Sequence, residues 1–253
     1  MSIEFRDVSK VYPDGTVAVR DLSLRLPSRQ LTVLLGSSGC GKTTLLRMVN
    51  RMVEPSSGTV LIDDEDVRQR DPVALRRGIG YVLQDGGLMP HRTVVDNVAT
   101  VLVLCGQGRK AAREAALPLL DTVGLDRALA TRYPAQLSGG QRQRVGVARA
   151  LAADPNILLM DEPFGAVDPL VRRELQDELL HLHETLEKTI LFITHDVDEA
   201  FRLGEHVVLL AEHAQIAQQG PPRELVENPA SSFVERFVEA GRGTRTLREA
   251  RTR

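Results

Sequence analysis

The sequence predicts an α/β fold: a mostly parallel sheet covered by helices, with an antiparallel β lead-in and an inserted α-helical subdomain. Three observations carry this. Short β-rich apolar runs recur along the chain with helical patterns between several of them, the alternation that yields parallel strands joined by crossover helices. One of these runs, Leu31–Leu35, leads straight into a glycine-rich turn. Between about Asp85 and Ala153 the strand signals vanish and only helical patterns remain.

The elements follow in order. Ser2–Tyr12 mixes apolar and polar residues as a strand does, and Val17–Leu26 follows the turn formers Pro13-Asp14-Gly15, so the two form an antiparallel pair. Leu31–Leu35 suits a buried parallel strand, with a helix expected from about Gly41 to Met52. Further buried strands are expected at Thr59–Ile62, Ile79–Leu83, Ile157–Met160, Ile190–Thr194 and His206–Leu210. Val94–Leu104, Arg109–Val123 and Gly139–Ala152 read as the helices of the insertion. Residues 1–241 thus read as one domain, with a core of about 1–84 and 154–220, a helical subdomain of about 85–153 and closing helices over about 221–240. Residues 242–253, rich in arginine and threonine, are expected to fray. No internal repeat is visible, which excludes a tandem pair of such domains in this sequence.

Composition narrows the function classes. The 253 residues are 42% hydrophobic and 26% charged, an ordinary globular balance. A formal charge of −2 lacks the basic excess of a protein built on a phosphate backbone, so no nucleic-acid partner is expected. No segment offers the ~18 consecutive apolar residues of a bilayer span, and Met1–Lys10 has no signal-peptide core; work at a membrane would need another chain to cross it. The two cysteines, Cys40 and Cys105, fit neither a disulfide framework nor a metal-ligand spacing, which points to a reducing cytoplasm.

Gly36-Ser37-Ser38-Gly39-Cys40-Gly41-Lys42-Thr43 matches G-x-x-x-x-G-K-[ST] in full, between a predicted strand and a predicted helix. The match predicts a phosphate loop, and with it a P-loop NTPase whose core is expected to be RecA-like. Its glycines let successive N–H groups converge on phosphate oxygens, and the following helix adds the positive end of its dipole. Lys42 places an ammonium near the β- and γ-phosphates of ATP, and the Thr43 hydroxyl can ligate Mg²⁺. Thr44 completes the run. Ile157–Met160 ends in Asp161-Glu162, which puts two carboxylates at the carboxyl end of a sheet strand, where ligands bind. Asp161 is the candidate to hold Mg²⁺ and Glu162 to orient or deprotonate the attacking water.

Leu137-Ser138-Gly139-Gly140-Gln141, ahead of a helical run, supplies a second anion site: a serine hydroxyl and glycine N–H groups at a helix N-terminus. With these residues the chain resembles the ATP-binding-cassette family, whose signature is LSGGQ. The resemblance covers roughly Ile3 to Gly241. It implies that Tyr12 stacks on adenine, that Gln84 senses Mg²⁺ and the γ-phosphate, and that His195, after the strand Ile190–Thr194, contacts the γ-phosphate. The other five histidines, including His181 and His183, are assigned to solvent faces. Gly165-Ala166-Val167-Asp168 takes the place of the loop usually written SALD, with Asp168 communicating across a dimer and glycine replacing the usual serine.

The resemblance further implies two subunits meeting head to tail, as a homodimer or with a similar ATPase. Each ATP then lies between one chain's Lys42, Thr43, Gln84, Asp161, Glu162 and His195 and the other chain's Ser138 and Gly140. Integral membrane permease subunits would receive motion from Gln84 in a groove near Gln84–Leu104, with an extracytoplasmic substrate-binding protein as an indirect partner. The chain would then sit on the cytoplasmic face of the membrane. A stand-alone ATPase favours import.

The stretches Leu75–Gln84, Gly87–Val94 and Arg144–Pro155 resemble quaternary-amine uptake ATPases for glycine betaine, choline, carnitine or proline. They are shared in part with methionine and polar amino-acid importers. Many relatives in the osmoprotectant group continue into paired cystathionine-synthase-type modules; this sequence stops at Arg253, so an ionic-strength sensor is expected to be missing or to sit elsewhere. Cassette ATPases of DNA repair or the ribosome carry coiled coils, zinc modules or a second cassette, none of which is visible. A hydrolysis-dead cassette is disfavoured by the presence of Glu162 and His195.

Overall fold

The computed structural model of the chain describes residues 1–84, 86–165 and 167–250, the last nine as backbone alone. It divides into two compact units, Met1–Gln69 with Leu191–Arg253, and Arg70–Ile190.

The first unit opens with β1 (Ile3–Val11), β2 (Val17–Leu26), β3 (Leu31–Gly36), α1 (Lys42–Val49), β4 (Ser57–Ile62) and β5 (Glu65–Asp66). β1 pairs antiparallel with β2, Ile3 opposite Leu26, so the lead-in forms as the alternation predicts. On its other edge β1 pairs antiparallel with β4, Ile3 opposite Ile62. Thr59–Ile62 is therefore not a strand of the parallel sheet. Val60, Leu61 and Ile62 are all buried, so both faces are covered and the run shows no alternation to distinguish it from a parallel strand. β3 is buried at every position. Leu34 and Leu35 are fully enclosed, as are Leu45, Leu46 and Val49 of α1, which anchors the strand-loop-helix segment. Each such side chain contributes roughly 1.5–3 kcal/mol by leaving water.

The second unit holds α2 (Pro72–Arg77), β6 (Ile79–Val82), α3 (Val94–Leu104), α4 (Arg109–Thr122), α5 (Gly139–Leu151), β7 (Ile157–Asp161) and α6 (Pro169–Leu186). β6 and β7 are parallel, Ile79 beside Ile157 and Val82 beside Met160. The unit's limits lie outside the 85–153 stretch expected for the helical insertion, because α5 packs against β6 as well as against α3, α4 and α6. At Gly80 that approach leaves no room for a side chain: a Cβ there would stand 2.6 Å from the Ala150 carbonyl.

The chain re-enters the first unit within β8 (Thr189–Thr194) and continues through α7 (Val197–Leu203), β9 (His206–Leu210), β10 (Ile216–Gly220), α8 (Pro222–Glu227) and α9 (Ser232–Ala250). β9 is parallel to β3 and antiparallel to β10, and β8 flanks β3 on its other side. β10 escapes sequence reading because Ala217-Gln218-Gln219 on a sheet edge carries little apolar signal. The helix α9 runs to Ala250, past the point at which fraying is expected; no proline follows Ser232, and Arg, Leu, Glu and Ala all favour helix. The expectation for residues 251–253 lies outside the described residues.

Candidate functional site

The glycines of 36–44 build the loop in the first unit. Gly39 and Gly41 adopt φ of +83° and +112°, a region that residues with a Cβ rarely visit. At Gly41 a Cβ would also collide with the Ala18 carbonyl. At Gly36 it would stand 2.6 Å from the Leu210 carbonyl and 2.8 Å from the Cys40 sulfur. Gly41 is also the N-cap of α1, and no side chain caps that end. The first amides of α1 therefore face the loop, the arrangement in which a helix N-terminus accepts an anion.

Lys42 is 4% exposed and folds back so that its ammonium donates to the carbonyls of Gly36 at 2.7 Å and Ser37 at 2.8 Å. The Tyr12 hydroxyl lies 3.3 Å from the Thr44 hydroxyl, and the Lys10 ammonium stands 5.3 Å over the Tyr12 ring. Tyr12 is thus beside the first turn of α1, only half-buried, and not a core residue. His195 is exposed at the end of β8, ahead of Asp196, whose carboxylate caps α7 by accepting the Glu199 N–H at 3.1 Å. Of the five histidines assigned to solvent faces, His91 and His181 are exposed, whereas His183, His206 and His213 depart from the expectation: each is half-buried, His213 with Nδ1 2.7 Å from the Val17 carbonyl.

In the second unit Asp161 closes β7 and accepts a hydrogen bond from the Tyr81 hydroxyl at 3.3 Å. Glu162 follows with φ of +44°, a left-handed turn that swings the chain sharply away from the strand. The turn is closed by Gly165 N–H on the Glu162 carbonyl at 3.1 Å. Gln84 comes to the same place: a Cβ on Gly165 would stand 3.2 Å from the Gln84 amide nitrogen. A side chain at 165 would therefore need the Gln84 amide to shift by only a few tenths of an ångström.

Ser138 caps α5. Its hydroxyl accepts the Gln141 N–H at 3.2 Å while the Gln141 side chain accepts the Ser138 N–H at 3.0 Å, a reciprocal capping box. Leu137 is buried, and its carbonyl is held by Arg142 at 2.7 Å. Beside Gly139, Gly140 faces α6, where a Cβ would come within 2.5 Å of the Val171 side chain. Asp168 caps α6, its carboxylate accepting the Val171 N–H at 3.1 Å. Asp168 and Gly140 therefore meet through one residue, Val171. Ala166 lies outside the described residues.

Two groups escape sequence reading. Tyr81 steadies Asp161, and its only trace in the sequence is an aromatic on the strand beside β7. Arg149, on α5, donates to the carbonyls of Gly87 and Gly86, both at 2.7 Å, just past Gln84. Burial pulls the Arg149 pKa down, because little water reaches its guanidinium.

The ABC transporter family model matches residues 19–165, more than half of the sequence. This chain belongs to the ABC transporter family. Among ABC transporter relatives, the glycine betaine uptake system ATP-binding protein YehX of Escherichia coli K12 is 48% identical over 235 residues, covering 93% of this chain and 76% of that protein. The carnitine transport ATP-binding protein OpuCA of Listeria monocytogenes is 47% identical over 236 residues, and this chain spans 59% of its length. Of the solved structures, the dimeric post-hydrolysis state of the ATP-binding cassette MJ0796 bound to ADP and Pi superposes with a TM-score of 0.78 at 32% identity, covering 87% of this chain and 99% of that one. The ABC cassette fold is thereby the P-loop NTPase fold that the motifs predict. Among the described residues no helix is long and apolar enough to cross a membrane.

Proposed function

We propose that this chain is the ATP-binding and ATP-hydrolysing subunit of an ABC importer that drives uptake of a quaternary amine or related osmoprotectant. The observation that carries the reading is a complete phosphate loop, preformed between β3 and the uncapped end of α1, in a chain that also bears an intact signature on α5. The relatives named for glycine betaine and carnitine transport support the class of cargo.

The overall reaction is ATP and water to ADP and phosphate. The loop amides and Lys42 hold the β- and γ-phosphates, and Tyr12 stacks on the adenine ring. Thr43, Gln84 and Asp161 offer the oxygen donors that Mg²⁺ takes, with Asp161 steadied by Tyr81. Mg²⁺, when bound, offsets charge on the phosphate oxygens. Glu162 orients the attacking water and accepts its proton, and exposed His195 contacts the γ-phosphate. Ser138, Gly139 and Gly140 of a second copy, or of a similar ATPase, close over the nucleotide, and hydrolysis releases the pair. Gln84 passes that motion to a membrane permease, loaded from outside by a substrate-binding protein, with the ATPase on the cytoplasmic face.

The test is reconstitution of the chain with its permease and substrate-binding protein in liposomes. The reading expects ATP hydrolysis stimulated by glycine betaine, choline, carnitine or proline and matched by uptake of the same solute. Stimulation by methionine or a polar amino acid instead would move the cargo; hydrolysis stimulated by nucleic acid or ribosomes would overturn the transport role.

A further inference from the structure

The 3-10 turn Glu212–Ala214, between β9 and β10, is hydrogen-bonded to the phosphate loop: the Ala214 N–H donates to the Cys40 carbonyl at 2.6 Å. A trans peptide is planar, and its C=O and N–H point in opposite directions. With the Cys40 carbonyl tied to Ala214, the N–H of Gly41 is aimed the other way, away from this turn. The turn is also pressed against the loop, since a Cβ on Gly41 would stand 3.1 Å from the Ala214 Cβ.

The turn holds an unfavourable backbone to make this contact. His213 and Ala214 are consecutive residues with φ of +57° and +58°, neither of them glycine. Such conformations persist only where surrounding contacts impose them, and they cluster at functional sites. Here the imposing contact is visible: His213 Nδ1 lies 2.7 Å from the Val17 carbonyl, on the strand that leads to Ala18 and the Gly41 contact. Donation from Nδ1 requires that this nitrogen carry the proton, as one neutral tautomer and the imidazolium both do.

We propose that His213 and Ala214 are positioning residues for the nucleotide: the left-handed turn, latched by His213 to Val17, fixes the Cys40–Gly41 peptide so that the Gly41 N–H is presented to phosphate. The inference rests on reading 36–44 as the nucleotide site. It adds to that reading a residue pair some 170 positions away in sequence, outside every motif of the chain.

The experiment measures affinity for ATP and ADP by titration calorimetry, KM and kcat for ATP hydrolysis, and the melting midpoint. The proteins are the wild type, His213→Ala, His213→Asn, Ala214→Gly, and a chain in which Ala214 is replaced by lactate so that its N–H becomes an ester oxygen. His213→Ala should weaken ATP and ADP about five- to tenfold and raise KM alike, with kcat little changed, the pattern of a lost ground-state contact. Asn places an amide nitrogen where Nδ1 stood and tolerates left-handed φ, so His213→Asn should restore affinity. Ala214→Gly keeps the N–H and should bind as the wild type does, whereas the ester should lose affinity at least as far as His213→Ala. Unchanged affinity in the ester chain, or a His213→Asn chain as weak as His213→Ala, overturns the proposal. If His213→Ala does not fold, the ester and Ala214→Gly chains decide it. A wild type that binds no ATP would instead refute the reading of the nucleotide site.

Discussion

Arg149 reaches back from α5 to hold the carbonyl of Gly86 at 2.7 Å, and its second terminal nitrogen holds Gly87 at the same distance. Gly86 and Gly87 have φ of +70° and +57°, so the segment after Gln84 is turned to present both carbonyls to one guanidinium. α5 thus carries the signature at its first turn and a grip on the Gln84 loop near its end.

Removing this grip leaves two carbonyls without their charged donor. Arg149→Ala should destabilise the chain by about 2–3 kcal/mol, since a hydrogen bond to a charged group contributes roughly 1.5–3 kcal/mol. Arg149→Lys should fall between, because an ammonium cannot span both oxygens as a planar fork does. Urea midpoints at constant m-value measure the difference; equal midpoints for wild type and Arg149→Ala would contradict the assignment.

Gly140 is tied to α6 by the absence of a side chain. Gly140→Ala places a methyl against Val171 and should cost about 1–3 kcal/mol as overpacking. Val171→Ala makes room, so the double variant should recover most of the loss, and a coupling of this sign in a double-mutant cycle is the test. Purely additive effects would show that Gly140 is required for something other than that approach.

The Cys40 sulfur is buried beside the Lys42 ammonium, 3.9 Å away, whereas Cys105 is exposed. A maleimide should react quickly at Cys105 without effect and slowly at Cys40 with loss of ATPase activity, and Mg-ATP should slow only the second reaction. Mass spectrometry of labelled peptides follows the two rates. Equal inactivation of a Cys40→Ser chain would place the damage elsewhere.

How far the sequence carried the reading depends on what kind of contact each residue makes. The loop 36–44 was legible because glycine and lysine at fixed spacing, with a strand before and a helix after, have few other uses. Asp168 and Ser138 are legible in their motifs, and each also caps a helix of its own chain. Strand β4 was misplaced because an apolar run buried on both faces has no period to show its sheet. Tyr81, Arg149, His213 and Ala214 are not legible, because each acts on atoms that only the fold brings near: a carboxylate oxygen for Tyr81 and main-chain carbonyls for the others.

If one chain's phosphate loop works with another chain's signature, two inactive variants rescue each other when mixed. Lys42→Ala disables the loop and Ser138→Arg blocks the signature, so either homodimer has a damaged half in every site. In a mixed dimer one site holds both lesions while the other joins an intact loop to an intact signature. With random exchange at equal concentrations, half the dimers are mixed and each keeps one of two sites, so ATPase activity should return to about a quarter of the wild-type value if sites act independently. Differently tagged chains confirm the exchange. No recovery in a mixture whose exchange is proven would contradict the shared-site account.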